Sequence, residues 1–293
     1  MTPCRPRARL ARFLVAVTTA AALAAPVHAA RVGILSNKYA TETAADFNAR
    51  IPGHTFSAVD TSGSAPALAQ LSASYDVLLV FEDSTYSNAT AVGNVAAAFA
   101  NSGRAVVLGA FYDQDRSDAP ASIPPHGWGA LETLDPNTTD GTGTPYALRT
   151  LDVAGMQKHP LTAGIESLVS ARFAGGNAAK AGTRVVANWT QTNAKGGADP
   201  AIAYRVTGNA CVIQLAIAPN YPVLGLAGTD YSGDFHRAWR NAFDFAAAKC
   251  VIPVAFAGGD PATVPTLSEW GLLLTILLVG GAAGFSLRRT RGR

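Results

Sequence analysis

Over the first half of the chain, short apolar runs alternate with stretches of helical spacing. Residues 31–36 (RVGILS) form the first apolar run, and residues 43–51 bring Ala44, Phe47 and Ile51 to one helical face. Residues 55–60 again have strand character, and residues 65–73 suit a short helix with Leu68 and Leu71 on one side. The clearest buried strand is 75–81 (YDVLLVF). An alanine-rich helix over 88–101 ends at Ser102-Gly103, a good stop signal. The next strand is 104–111 (RAVVLGAF). Apolar side chains at successive positions, rather than alternate ones, indicate strands covered on both faces.

Such strands, separated by helices, predict an α/β fold: a doubly wound, flavodoxin-like three-layer sandwich with a mostly parallel sheet. Beyond Tyr112 the pattern loosens, and residues 113–145 are rich in Asp, Pro, Gly and Thr, a long segment without regular structure. Strand-like runs return at 147–153, 167–173, 183–189, 201–206 and 211–216. Their short spacing suits an antiparallel extension of the sheet. A last helix is expected over 231–249, with Phe235, Trp239, Ala242, Phe243 and Ala246 on its apolar side.

Both ends of the chain carry a different pattern. Arg5, Arg7, Arg9 and Arg12 precede an apolar stretch over 13–25, and Val27-His28-Ala29 follows as a small-residue cleavage site. This reads as a signal peptide over 1–30, the mature chain starting near Ala30 or Arg31; an uncleaved N-terminal anchor is the alternative. At the other end, residues 271–287 are apolar and uncharged, long enough for a short transmembrane helix. Trp270 stands at its outer end and Arg288, Arg289, Arg291 and Arg293 follow, which places the C-terminus in the cytoplasm. Between these ends lie one domain over 31–250 and a Gly- and Pro-containing linker over 251–263. The apparent basicity belongs to the ends. Each contains four arginines and no acids, so of 23 basic and 20 acidic residues the middle keeps 15 and 20, a net charge of about −5. No basic patch on the domain suggests a nucleic-acid partner.

Val264, Pro265, Thr266, Leu267, Ser268, Glu269 and Trp270, followed by an apolar span and an arginine cluster, resemble the IPTL-CTERM sorting signal of Gram-negative bacteria. Val264 stands where the family pattern has Ile. The resemblance covers about 30 of 293 residues. It implies an exported protein held transiently in the inner membrane, cut by an exosortase-type sorting peptidase after signal peptidase has acted, and passed to the cell surface or released. Cys211 and Cys250 form an even pair in an oxidising compartment, and a disulfide between them would pin the last helix to the sheet; two separate buried thiols are the alternative. Asn88, Asn137 and Asn188 match the glycosylation sequon, read as coincidence in a bacterial chain.

The order of elements resembles the class I glutamine amidotransferase-like superfamily, including its ThuA-like branch. The resemblance rests on the YDVLLVF–helix–RAVVLGAF core, on His159-Pro160-Leu161-Thr162-Ala163-Gly164-Ile165, and on CVIQLAIA followed by RAWRNAFDFAA. Amidotransferases of that family place a nucleophilic cysteine on the turn after a strand. Here Phe111 or a neighbour holds that position, so the reaction does not carry over and no catalytic residue is assigned. No G-x-S-x-G elbow is present either.

Ligands of open α/β sheets bind beyond the carboxyl ends of the strands. Glu82 and Asp83 fall there after one strand, and Asp113 and Asp115 after the next, with His126 downstream. Neighbouring carboxylates can bind Ca²⁺ or raise one another's pKa for acid–base work; loop turns and helix caps use the same residues. His54, His126, His159 and His236 show no metal-ligand spacing, and no cofactor or metal is expected. Trp128 is either part of an aromatic wall with Pro124, Pro125 and His126 or a packed loop residue. The leading expectation is a binding or structural module at the envelope or in the extracellular matrix. The runner-up is a hydrolase on carbohydrate-type substrates working through the acidic sheet edge. A domain that only carries surface display is the third.

Overall fold

The computed structural model describes residues 29–83, 88–110, 127–139, 148–171, 174, 176–193, 195–225, 228, 230–253 and 256. In chain order these residues form β1 (Arg31–Leu35), α1 (Ala40–Arg50), β2 (Thr55–Val59), α2 (Leu68–Ser74), β3 (Val77–Val80), α3 (Ala89–Asn101), β4 (Ala105–Leu108), β5 (Asn137–Thr139) and β6 (Arg149–Thr150). Then follow β7 (Leu168–Ser170), β8 (Asn177–Ala179), β9 (Arg184–Asn188), β10 (Pro200–Thr207), β11 (Ala210–Leu215), β12 (Tyr231–Gly233) and α4 (Phe235–Ala247). The result is a mixed α/β domain around a seven-stranded sheet of order β2-β1-β3-β4-β11-β10-β9. The first five strands of that order run parallel, and β10 and β9 extend it antiparallel, as the short late runs suggested.

Every residue of β3 and β4 is buried, which is why both read as continuous apolar runs. Their side chains alternate between two cores. On one face Val77, Leu79 and Val107 meet α1 and α4 through Phe47, Trp239 and Phe243, with Phe56 of β2 in the same core. The Phe56 and Phe243 rings pack edge to face at 5.0 Å and Phe47 and Phe56 at 5.3 Å, a geometry that aromatic quadrupoles favour. On the other face Leu78, Val80, Val106 and Leu108 meet α2, α3 and Trp128.

Three expectations need correction. The 113–145 segment is not wholly without structure: a 3-10 turn at Gly129–Thr133 packs on α3, and β5 pairs with β8. A side chain at Gly93 of α3 would sit 1.9 Å from the Trp128 carbonyl, so the missing Cβ is what lets this segment lie flat on the helix. Trp128 is thus a packed loop residue, 2% exposed, not an exposed wall. The last helix starts at Phe235, because Gly233 has φ 81°, outside the helical region. Residues 231–233 pair with β7 instead, and Asp234 Oδ2 accepts from the backbone N–H groups of Glu166 and Ser167. Finally, the strand expected over 147–153 contracts to Arg149–Thr150 in a separate three-stranded sheet with β7 and β12.

Cys211, in β11, and Cys250, just past α4, are disulfide-bonded with a Cα–Cα distance of 5.9 Å. No described helix is long and apolar enough to cross a membrane. Of the signal peptide expected over 1–30, residues 1–28 lie outside the described residues, as do the transmembrane span expected over 271–287 and the sorting motif.

Candidate functional site

Strand order reverses beside β1: β2 lies on one side of it and β3 on the other. In open α/β sheets the crevice at such a reversal, beyond the carboxyl ends of the strands, is where ligands bind. Three loops meet there. Asn37 follows β1, Glu82 and Asp83 follow β3, and Asn220 follows β11. The Asp83 backbone N–H donates to Asn37 Oδ1 at 3.1 Å, and Asp83 Oδ2 accepts from Asn220 Nδ2 at 2.9 Å. One acidic residue therefore ties the loops after β1, β3 and β11 together. Glu82 is buried, at 1% exposure. Thr61 Oγ1 donates to the Ser36 carbonyl at 3.2 Å, and Asn88 Nδ2 to the Thr61 carbonyl at 3.0 Å, joining the β2 loop to the same network.

Beside this network, at the carboxyl ends of β1 and β2, lies a hollow of about 440 Å³ whose lining includes Asn37, Lys38, Tyr39, Glu42, Asp60 and Ser62. Tyr39 leads into α1 with φ 59°, a left-handed conformation that costs a non-glycine residue energy. The Lys38 ammonium lies 5.3 Å from the centre of its ring. Asp60 accepts from both the backbone N–H and the hydroxyl of Ser62, at 2.9 and 2.7 Å. The Ser62 backbone bond, foremost, holds its carboxyl below the usual range. The hollow thus offers one ring, one cation, two carboxylates and several hydroxyl and amide groups.

Of the residues named from the sequence, the structure brings Glu82 and Asp83 to this edge. Asp113, Asp115 and His126 lie outside the described residues. Among the described residues no group of three or more His, Cys, Asp or Glu side chains is arranged to hold a metal. The described histidines work singly. His54 Nε2 bonds Asp244 at 3.0 Å and His236 Nε2 bonds Asp46 at 2.8 Å. His159 caps the 3-10 turn Pro160–Thr162, its Nδ1 accepting from the Leu161 N–H at 3.1 Å. Burial, helped by Arg184, lowers its pKa from 6.5 to about 4.

Sequence reasoning missed Asn37 and Asn220, since an asparagine after a strand looks like any turn residue. It also passed over Gln214, the only polar residue in the run CVIQLAIA. Gln214 is fully buried near the carboxyl end of β11, in register with Leu108 and Ala203, and neither its amide nitrogen nor its oxygen has a hydrogen-bond partner.

Residues 262–289 match the IPTL-CTERM motif. The chain carries a sorting signal. That motif implies an exosortase-type processing partner. Comparison with curated protein sequences finds no match. Among solved structures, a cytoplasmic protein of Salmonella typhimurium superposes with a TM-score of 0.51 at 12% identity, over 74% of this chain and 98% of its own. A ThuA-like protein of Bacteroides uniformis gives 0.44 at 13% identity, over 73% and 89%. A β-galactosidase of Bacillus circulans gives 0.47 at 12%, over 77% of this chain and 32% of the enzyme. At these identities the first likeness is one of fold alone.

Proposed function

We propose that this is an exported, surface-sorted bacterial protein whose flavodoxin-like α/β domain is a non-catalytic binding module displayed at the envelope. The sorting signal at 262–289 supports the export half of this reading. The binding half rests on one observation: Asp83, the acidic group at the sheet reversal, is engaged in holding three loops together. A general acid or base needs its carboxyl within reach of a substrate proton. Asp83 is instead a brace, and the ligand-facing groups are those of the adjoining hollow. An aromatic ring beside hydroxyl, amide and carboxylate groups suits an extracellular polysaccharide, whose sugar faces stack and whose hydroxyls both donate and accept.

The way the domain is mounted supports the same reading. Ala29 and Ala30, which precede β1, and Ala246, Ala247 and Lys249, at and just past the end of α4, line one hollow at the amino ends of the strands. The described domain therefore begins and ends at the same pole, opposite the carboxyl ends of β1 and β3.

The test is binding and turnover of envelope polysaccharide by the purified protein. Tyr39→Ala is expected to weaken binding at least tenfold, with no release of reducing ends by either protein. Reducing-end release that Glu82→Gln abolishes would replace this reading with the hydrolase.

A further inference from the structure

At the amino pole the first described residues meet a histidine. Ala29 is exposed, while Ala30 is 3% exposed and built into the sheet, its carbonyl accepting from the Thr55 N–H at 3.0 Å. The Ala30 backbone N–H donates to His54 Nδ1 at 3.2 Å. An Nδ1 that accepts fixes the neutral tautomer with its proton on Nε2. That nitrogen bonds Asp244 Oδ1 at 3.0 Å, and the His54 side chain is wholly shielded from solvent. Asp244 is in turn 3.6 Å from the Arg240 guanidinium. The fold thus holds a buried acceptor, backed by a carboxylate, against the nitrogen of a residue one step inside the described chain.

We propose that the exported chain is cut between Ala29 and Ala30, and that the α-amine released there is held by His54 and Asp244 as a structural latch. The cut is a hydrolysis by a signal-peptidase-class protease. Water adds across the Ala29–Ala30 bond, the carboxylate leaves on Ala29 with the leader, and the amine stays on Ala30. A protonated amine has three donors where the amide had one. The first keeps the His54 bond. A hollow of about 580 Å³ that Ala30 lines together with Asp76, Ser102, Gly103 and Arg104 among others lies beside the other two. Asp76 and the water that such a hollow admits can take them. The ammonium, the imidazole and the Asp244 carboxylate then form one chain of charge-assisted bonds.

The structure also separates two possible starts. Val27 and Ala29 are the small residues that a cleavage site requires, which points to Ala30 as the first residue. A cut one bond later would leave Arg31, whose N–H donates to Asp76 Oδ2 at 3.0 Å, as the terminus. That cut would discard Ala30, its bond to Thr55 and the only use the described structure makes of His54 Nδ1.

This inference rests on export, and the experiment separates the two. The full chain is expressed in an exporting Gram-negative host and its N-terminus is read by mass spectrometry. Amines are then acylated at neutral pH, folded and in denaturant. The expected result is a chain beginning at Ala30 whose α-amine reacts at least tenfold more slowly folded than unfolded, with Asp244→Asn removing most of that protection. An intact N-terminus would overturn export and latch together. A start at Arg31, or an Ala30 amine that reacts alike in both states, would overturn the latch and leave export standing. Asp244→Asn keeps the size of the side chain; should it fail to fold, His54→Gln is labelled in its place, with the same loss of protection expected.

Discussion

At the amino ends of the strands the chain is closed by a covalent bond, a histidine–carboxylate hydrogen bond and an ion pair. The Cys211–Cys250 disulfide, the His54–Asp244 pair and the Arg31–Asp76 pair all lie there. At the carboxyl ends the loops are joined by amide–carboxylate and hydroxyl–carbonyl bonds, Asn37 to Asp83 to Asn220 and Asn88 to Thr61 to Ser36. The first kind of closure lies at the pole where the described domain begins and ends. The second is a network of mostly buried polar groups, Ser36, Thr61 and Asn220 among them. On the proposed reading, stability and recognition separate along the strand direction, as in open sheets that confine function to one end of the strands.

The sharpest way to break this contrast is to open the amino pole. The disulfide closes a loop with a sequence separation of 39, worth about 4 kcal/mol in the chain-entropy account. Cys211→Ala with Cys250→Ala should lower the unfolding free energy obtained from urea denaturation by that amount and leave polysaccharide binding at the carboxyl pole unchanged in the protein that remains folded. A loss below about 1 kcal/mol would show that the aromatic core around Phe47 and Phe243, rather than the sulfur bridge, closes this end.

Proton binding probes the packing between β10 and α4. His159 packs against Tyr204 and Phe245, with ring centres 5.1 and 4.9 Å away, and burial lowers its pKa from 6.5 to about 4. The unfolded chain therefore binds a proton that the folded chain refuses between these values. Its contribution is fully present above pH 6.5 and is lost as pH falls through about 4, a span worth about 3 kcal/mol at most. Asp234 titrates in a lower window. Backbone N–H bonds, that of Glu166 foremost and also that of Ser167, hold its carboxyl below the usual carboxylate range, so its contribution is lost only as pH falls further. His159→Gln should flatten the stability curve between pH 6.5 and 4 while the steeper fall at lower pH persists. An unchanged slope in the variant would assign it to another group.

The two poles were unequally legible in the sequence. Continuous burial made β1, β3, β4 and β11 visible as apolar runs, and Phe235, Trp239 and Phe243 marked the buried side of α4. β5, β8 and β12 were invisible because three residues such as NTT, NAA or YSG show no period, and their pairing comes from loops brought together by the large sheet. The acidic pair after β3 was readable as Glu82 and Asp83. That Asp83 braces its neighbours was not, because Asn37 and Asn220 stand 46 and 137 positions away from it. Long-range polar bonds leave no periodic trace in a chain.

Gln214 offers the finest test of the difference. It sits on a central strand, fully buried, with both polar atoms of its amide lacking partners. A buried polar group in that state costs about 1–3 kcal/mol. Methionine matches its length without carrying that cost, so Gln214→Met should raise stability by about 1–2 kcal/mol by urea denaturation. If the amide serves recognition at the carboxyl pole, the same substitution should weaken polysaccharide binding, a trade of stability for function of the kind that active regions show. A variant both less stable and unchanged in binding would mean that buried water satisfies the amide. Gln214 would then belong with the structural groups of the amino pole, and the division between the two ends of the sheet would not extend into the sheet itself.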